Sequence, residues 1–385
     1  MAEMKPRERV IAALNHQEPD RVPTALWGGP YGIMDEVYLK LVDLLDLGEP
    51  VAPFRKGHSV TYMDDRLLDI LGTDLRYVWP GASPGSVNRA TDKPDVSLDG
   101  YGQEWDYRAP HFHPGKGLLA DATVAEIETL VQWPDPNEER WVVGVAERAR
   151  ELKENTDYYV VARMVTSHGP YMTAGHLRGV EQFLIDMALD EEFAQVLVGR
   201  VTDTIESLLR GYLEAGGKYF DLVELPGDDY ATQTGMAFSP AMFRNYFKPA
   251  IKRLVDVIKE FRDDIKVMLH CDGVFTPILP DLIEIGVDVV NPLEPLPAMD
   301  PGEIKAAFGD DLSFLGAIDI KQALPGSSED VIAEVKRRIK QLAPGGGYII
   351  APTNHVQLDV SPENVIALYK AAHEYGRYPI DIAAG

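Results

Sequence analysis

From about residue 137 onward, short β-branched and apolar runs alternate with longer stretches whose apolar residues recur every three or four positions. The short runs have the length and composition of buried strands, and the longer stretches those of amphipathic helices. The predicted strands are YYVVARMV, FDLVEL, KVMLH, DVVNPL, LSFLGAI and GYIIAPT. The predicted helices span Glu138–Thr156, Leu177–Gly216, Pro240–Phe261, Phe275–Ile285, Pro301–Phe308, Ser328–Leu342 and Pro362–Tyr375.

The first 140 residues are less regular. A helix is predicted over Pro6–Leu14, followed by a loop and the strand-like TALWGGPYGI. Residues 50–140 are rich in Gly, Pro, Asp and aromatic residues, which predicts an irregular, loop-rich cap rather than a separate domain.

Repeated strand–helix alternation predicts a parallel sheet with right-handed crossovers. About six units follow residue 137, and one or two more fit between residues 20 and 80. This number favours one α/β domain over residues 1–385, a (β/α)8 TIM barrel with an irregular N-terminal extension and cap. A doubly wound open sheet is the alternative, but the chain has no G-x-G-x-x-G turn typical of nucleotide binding.

Composition narrows the functional classes. The 385 residues carry a formal net charge of −24, which makes nucleic acid an improbable partner. No apolar run approaches the roughly 20 residues of a membrane span, and the N-terminus has no apolar signal core, so we expect a cytoplasmic protein. The single cysteine fits a reducing compartment and excludes a metal site built from two thiolates of one chain.

Polar side chains follow the predicted strands at their carboxyl ends. In a barrel these ends converge on one mouth, where active sites lie. Each of the five predicted strands that follow the first one ends in such groups. Solubility alone does not explain a whole ring of polar residues, because the strands themselves are apolar. The residues are Arg163 with His168, Glu224 with Asp228 and Asp229, His270 with Cys271 and Asp272, Asn291 with Glu294, Asp319, and Asn354 with His355.

Metal binding is the chemistry that this set suggests. His270, Glu224 and a carboxylate or thiol from Asp272 or Cys271 would give a zinc site with one open position, and His355 is a further candidate ligand. The catalytic candidates are Glu224, His270, Asp272 and His355. The candidates for substrate binding are Arg163, His168, Asn291, Asp319 and Asn354.

Several of these residues have simpler interpretations. Asp319 is more typical of a helix cap, and Glu224 could equally be a surface carboxylate. The His111–His113 pair has a spacing that can chelate, although loop pairs of this kind are usually incidental. We expect His16 and His373 at the surface.

Seven stretches together resemble the uroporphyrinogen decarboxylase superfamily, which includes true decarboxylases and zinc- and corrinoid-dependent methyltransferases. The resemblance implies a (β/α)8 barrel with its site at the C-terminal mouth. The similar stretches are RERVIAALNHQEPDRVP, GPYMTAGHLRGVEQFLIDM, FDLVELPGDDYATQTGMAFSPAMFRNYFKP, VMLHCDG with IGVDVVNPLEP, LSFLGAIDIKQALP, and GGGYIIAPTNHVQLDVSPENV.

The branch within the superfamily is indicated by departures from its motifs. The decarboxylases carry an arginine-bearing segment after the first Val-Pro, but ALWGGPYGI here has none, although His355 resembles their late histidine. The thiol-directed methyltransferases carry His-x-Cys-Gly and a later cysteine. Here Asp272 takes the first cysteine position, and the second falls within Pro352–His355.

A ligand set of His, Asp and Glu is harder than one with two thiolates, and so suits an oxygen or nitrogen leaving group. The resemblance therefore implies transfer of a methyl group from a small methoxy or methylamine-type substrate to cobalamin on a separate corrinoid protein. Uroporphyrinogen decarboxylation and a non-catalytic barrel that binds a small ligand are the alternatives. A homodimer is left open.

The lack of arginine in residues 25–33 predicts that the purified protein does not decarboxylate uroporphyrinogen, because buried carboxylates without arginine partners would be poorly stabilised. The measurement is product formation from uroporphyrinogen. Coproporphyrinogen released at an enzymatic rate of about 1–10³ s⁻¹ would contradict the prediction.

Overall fold

A parallel sheet of seven strands forms the centre of the computed structural model, which describes residues 3–26, 31–54, 59–82, 84, 89–93, 95–106 and 113–381. The order of strands in this sheet is β1-β6-β7-β10-β11-β12-β13. The strands in chain order are β1 (Leu75–Val78), β2 (Arg89–Ala90), β3 (Val96–Leu98), β4 (Glu104–Asp106), β5 (His113–Pro114), β6 (Tyr159–Ala162), β7 (Leu222–Glu224), β8 (Ala231–Thr232), β9 (Gly235–Met236), β10 (Lys266–His270), β11 (Val289–Asn291), β12 (Ser313–Ile318) and β13 (Tyr348–Pro352).

An extended segment around Thr24 lies between the two outer strands of this sheet. Thr24 forms a parallel bridge with Ile350 of β13, and Ala25 N–H donates to the Ile350 carbonyl at 2.8 Å. On the other side, Asp74 N–H donates to the Thr24 carbonyl at 2.9 Å, directly before β1. The segment thus takes the eighth position, as expected for the predicted TIM-type barrel.

Helices follow the central strands, as the sequence pattern predicts. They are α1 (Pro6–Leu14), α2 (Asp35–Leu44), α3 (Asp65–Leu71), α4 (Ile127–Leu130), α5 (Val145–Asn155), α6 (Pro170–Arg178), α7 (Val180–Leu189), α8 (Glu191–Gly216), α9 (Pro240–Met242), α10 (Lys248–Phe261), α11 (Leu279–Glu284), α12 (Pro301–Phe308), α13 (Ser328–Leu342) and α14 (Pro362–Tyr375). Four of them, α1, α12, α13 and α14, have the predicted bounds. None of the helices in the described ranges combines the length and apolarity that a membrane span requires.

The helical stretch predicted over residues 177–216 consists of the end of α6 and the whole of α7 and α8. Gly179 separates α6 from α7 with φ = +90°, a left-handed conformation that a residue with a side chain rarely adopts. Asp190 then begins α8 by accepting a hydrogen bond from Phe193 N–H at 3.3 Å. The apolar periodicity runs through both positions, so it does not reveal the two breaks.

Part of the predicted cap forms a small antiparallel sheet of β2, β3, β4 and β5. Trp105 of β4 directs its ring toward the barrel, where it lies 5.0 Å from the His176 ring and 6.1 Å from the His168 ring, centroid to centroid. Leu119 N–H also donates to the Leu177 carbonyl at 2.8 Å. These contacts join the cap region to α6 at the barrel mouth.

His16 and His373, expected at the surface, are partly buried instead. One ring nitrogen of each, Nδ1 of His16 and Nε2 of His373, is buried with no hydrogen-bond partner. The His373 ring packs against Gly72, where a Cβ atom would come within 2.5 Å of it. Burial lowers the pKa of His373 to about 4, because the charged imidazolium loses hydration.

We predict that His373 makes the protein lose stability as pH falls from about 6.5 toward 4. In the unfolded chain the imidazole takes up a proton near pH 6.5, whereas the folded state resists it, so protonation favours unfolding. The contribution of His373 to the free energy of unfolding should fall by at most about 2 kcal/mol between pH 7 and 5. Urea unfolding of wild type and His373→Leu across this range measures it. Parallel pH dependences of the two proteins would contradict the prediction.

Candidate metal centre

Three side chains at the mouth form a group that can hold a metal ion. They are Asp229, His270 and Asp272, and their potential ligand atoms lie within 4.8 Å of one another. Asp229 lies in the loop after β7, His270 is the last residue of β10, and Asp272 follows two residues later. Parallel pairing of β7 with β10 brings these two carboxyl ends to the same edge of the sheet.

The ring of His270 is held on several sides. Its Nδ1 lies 2.7 Å from Oδ1 of Asn291, the residue opposite it in β11. The ring also packs against Gly227, where a Cβ atom would come within 2.9 Å of the ring. Nε2 lies 3.9 Å from an oxygen of Asp229 and 3.8 Å from one of Asp272, too far for hydrogen bonds.

Asp272 is connected to its neighbours on both sides. Its backbone N–H donates to Asp229 at 2.9 Å, and its Oδ2 accepts from Nδ2 of Asn354 at 2.9 Å. Burial, with Asp229 and Glu294 nearby, raises the pKa of Asp272 to about 6, although His270 acts in the opposite direction. Carboxylates gathered in this way repel each other, and a bound cation would offset that repulsion.

The spacing of these atoms fits a small cation. Two ligand atoms each about 2.1 Å from a tetrahedral zinc ion lie roughly 3.4 Å apart. The observed separations of 3.8 and 3.9 Å from His270 Nε2 would contract by a few tenths of an ångström, and the two carboxylate oxygens, which lie within 4.8 Å of each other, would also move closer. Imidazole nitrogen and carboxylate oxygen both bind zinc, and three protein ligands with a fourth position left for substrate is the arrangement of catalytic zinc sites.

A second polar cluster occupies the mouth between β6, β7 and the segment after Thr24. Arg163 forms an ion pair with Glu224, both nearly inaccessible to solvent, and the Tyr31 hydroxyl donates to Glu224 at 3.3 Å. The Arg163 guanidinium also lies 4.3 Å from the centroid of the Trp79 ring. Glu224 is therefore committed to Arg163 and Tyr31 and is not part of the group around His270.

Cys271 and His355, two further predicted ligands, also lie outside that group. Cys271 is buried, and burial raises the pKa of its thiol well above the usual value, which disfavours the thiolate that binds metals. His355 Nδ1 accepts a hydrogen bond from Gly32 N–H at 2.9 Å. This histidine thus joins the loop after β13 to the segment before α2, where Ile33 bridges Val356.

The other candidate residues make contacts within the protein. His168 lies in the ring cluster with Trp105 and His176. Asp319 accepts from Lys321 N–H at 2.8 Å and so heads a turn, but it does not cap a helix, because the N-cap of the following helix α13 is Ser327. The carboxylate of Glu294 pairs with Lys321 and accepts from Gln233 at 2.9 Å.

Asp228 and Asp229 are adjacent but have different surroundings. Asp228 is fully buried and accepts from the backbone N–H groups of Tyr171 and Met172, at the start of α6. Burial raises its pKa to about 7, although these hydrogen bonds and one from Tyr230 favour ionisation. Asp229 remains partly exposed and faces His270.

Asp229 is the member of the group that the predicted ligand set omits. The sequence places it among the strand-end polar residues, but nothing local separates it from Asp228. Only the turn after β7, which buries one carboxylate under α6, directs the other toward His270. Of the predicted loop pair, His111 lies outside the described residues, and only the backbone of His113 is described.

Comparison with known proteins supports this description of the fold. The methylated-thiol–coenzyme M methyltransferase of Methanosarcina mazei is 24% identical over 382 residues, covering 97% of this chain and 90% of that protein. A uroporphyrinogen decarboxylase of Danio rerio is 29% identical over 192 residues, 48% of each chain.

Among solved structures, a methyltransferase from Methanosarcina mazei shares the fold, with a TM-score of 0.65 and 19% identity over 97% of this chain and 99% of that chain. The family model for uroporphyrinogen decarboxylase (URO-D) matches residues 111–375. The chain therefore belongs to the uroporphyrinogen decarboxylase family.

Proposed function

We propose that this protein is a zinc-dependent methyltransferase that moves a methyl group from a small methoxy or methylamine-type substrate to cobalamin on a separate corrinoid protein. The observation that carries the proposal is the group of Asp229, His270 and Asp272 at the mouth of the barrel. Similarity to a methyltransferase over nearly the whole chain supports the reaction class.

The proposed ligands are Nε2 of His270 and one oxygen each of Asp229 and Asp272. This set contains no thiolate, and the single cysteine is a buried thiol outside the group. When bound, zinc would act as a Lewis acid that stabilises the leaving oxygen or nitrogen of the methyl donor. The harder donor set favours these leaving atoms over sulfur.

The protein's own residues would orient the methyl donor around this centre. Asn354 keeps Asp272 in place through its 2.9 Å hydrogen bond. The buried ion pair of Arg163 with Glu224, with the Tyr31 hydroxyl, would stiffen the wall of the substrate site, and the Trp79 ring lies against the Arg163 guanidinium. A donor held in one orientation reacts faster because its motional entropy is already lost.

The acceptor would reach the donor from outside the barrel. Active sites of such barrels open at the carboxyl ends of the strands, and here that edge carries the candidate ligands. We place the docking of the corrinoid protein at this mouth, beside the loop-rich region of residues 50–140. A cytoplasmic location is part of the proposal.

Decarboxylation of uroporphyrinogen is less well supported. Similarity to the decarboxylase of Danio rerio extends over 48% of the chain. At the mouth, Arg163 is paired with Glu224 and Lys321 with Glu294, so neither charge is available to a substrate carboxylate without breaking an existing ion pair. Breaking the buried Arg163–Glu224 pair costs about 3–5 kcal/mol, whereas the pair of Lys321 with Glu294 is partly exposed and costs less to open.

The metal assignment predicts which variants lose zinc. His270→Ala and Asp229→Ala should reduce zinc binding from about one ion per chain to a trace, whereas His355→Ala should retain it because His355 binds Gly32 instead. Metal analysis after incubation with zinc, with X-ray absorption showing N/O ligands at about 2.0–2.2 Å, measures both. Loss of zinc in His355→Ala alone, or a metal-free wild type, would contradict the assignment.

The reaction is tested with a corrinoid protein and methoxylated aromatic or methylamine donors. His270→Ala should lower the rate of cobalamin methylation by about 10²-fold or more, because a Lewis acid supplies several kcal/mol. Its free energy of unfolding should fall by about 1–3 kcal/mol, because the buried Oδ1 of Asn291 loses its hydrogen-bond partner.

Asp281→Asn is the matched control, since Asp281 is a buried carboxylate that binds Arg244 and Lys248 within the helical layer. It should lose stability but keep the rate per folded molecule. Equal rates for wild type and His270→Ala would contradict the proposed function.

A further inference from the structure

We infer that Asn291 is a positioning residue that fixes the tautomer of His270, with the proton on Nδ1 and the lone pair of Nε2 directed at Asp229 and Asp272. The arrangement begins with strand register. His270 and Asn291 are paired residues of the parallel strands β10 and β11, so their side chains lie side by side. Asn291 is completely buried, and His270 nearly so.

The orientation of the Asn291 amide is set by a second contact. Its Nδ2 donates to the Leu315 carbonyl of β12 at 2.9 Å. An amide nitrogen donates and a carbonyl oxygen only accepts, so this bond determines which end of the amide is Nδ2. The oxygen Oδ1 must therefore face His270 Nδ1, 2.7 Å away.

The Leu315 carbonyl is available because the regular pairing of β11 with β12 stops one residue earlier, at Val290 and Phe314. Beyond that point Gly316 has φ = +122° and Ala317 N–H donates to the Pro292 carbonyl at 2.8 Å. A Cβ atom at Gly316 would lie 2.2 Å from that same carbonyl oxygen, so this backbone conformation requires glycine. The irregularity leaves an acceptor for the side chain of Asn291.

An amide oxygen at 2.7 Å from Nδ1 requires a proton on that nitrogen. In the neutral ring Nε2 then carries the lone pair, which is the form that binds a metal. Because the amide of Asn291 is completely buried, we attribute the choice of tautomer to this contact within the protein. Without Asn291, a proton on Nε2 could instead be attracted to Asp229 and Asp272, and it would block the metal-binding nitrogen.

The tautomer itself is tested without metal. In wild-type protein with ¹⁵N-labelled histidine, stripped of metal and at alkaline pH, the ¹⁵N–¹H spectrum of His270 should show Nδ1 protonated and Nε2 unprotonated. His270→Gln identifies the resonance by its disappearance. Asn291→Leu should shift the population toward the Nε2-protonated form. A wild-type ring protonated at Nε2 would overturn the inference.

The consequence for zinc rests on the proposed function and is measured separately by competition with a chelator. Asn291→Leu should weaken zinc binding by about 10–100-fold, the usual effect of removing such a partner. Asn291→Asp keeps an acceptor for Nδ1 but loses the donor to Leu315, so it should lower stability while its zinc affinity stays within about tenfold of wild type.

Asn364→Leu provides the matched control. Asn364 is also buried and donates to backbone carbonyls, those of Leu324 and Gly326, at 2.9 and 2.7 Å. Its loss should lower stability without changing the His270 tautomer or the zinc affinity. Equal losses of affinity in Asn291→Leu and Asn364→Leu, or in Asn291→Leu and Asn291→Asp, would show a purely structural role. A wild type that binds no zinc would refute the proposed function. The inference about the tautomer would still be tested independently, because the ¹⁵N–¹H spectrum is recorded on metal-free protein.

Discussion

Parallel pairing of β7, β10 and β11 is the constraint on which the candidate site depends. It brings the loop after β7, the end of β10 and the end of β11 to one edge of the barrel, and with them Asp229, His270 and Asn291. A barrel must close for this edge to become a mouth. Closure depends on the Thr24 segment, whose hydrogen bonds reach both outer strands of the sheet.

Charge is distributed unevenly at this mouth. Four of the ionic groups are paired with each other: Arg163 with Glu224, and Lys321 with Glu294. Asp229 and Asp272 have no cationic side chain in a described ion pair other than the imidazole of His270. Two carboxylates beside one imidazole form the part of the described mouth where an added cation would be stabilised most.

Burial distinguishes residues that have the same chemistry. Asp228 and Asp229 are both strand-end aspartates, yet Asp228 already accepts hydrogen bonds from backbone N–H groups in the first turn of α6. Gly169 makes this possible, because a Cβ atom there would come within 2.5 Å of the Asp228 carboxylate. Similarly, His270 and His355 both end at the mouth, but His355 Nδ1 is occupied by a backbone N–H group. The residue type therefore identifies several candidate metal ligands, and the hydrogen bonds in the structure show which of them already have other partners.

The sequence by itself determined the barrel class, the bounds of α1 and α12–α14, and the set of strands whose ends carry polar groups. These features depend on periodicity and local composition, which are properties of short windows. It did not determine the break at Gly179, the choice of Asp229 over Glu224 as a neighbour of His270, or the inward packing of His373. Each of these depends on which residue lies opposite in another element, and a single sequence does not contain that pairing. Only the tertiary structure decided which polar side chains bind each other and which are left facing the mouth, because burial and hydrogen bonding between distant segments fix that division.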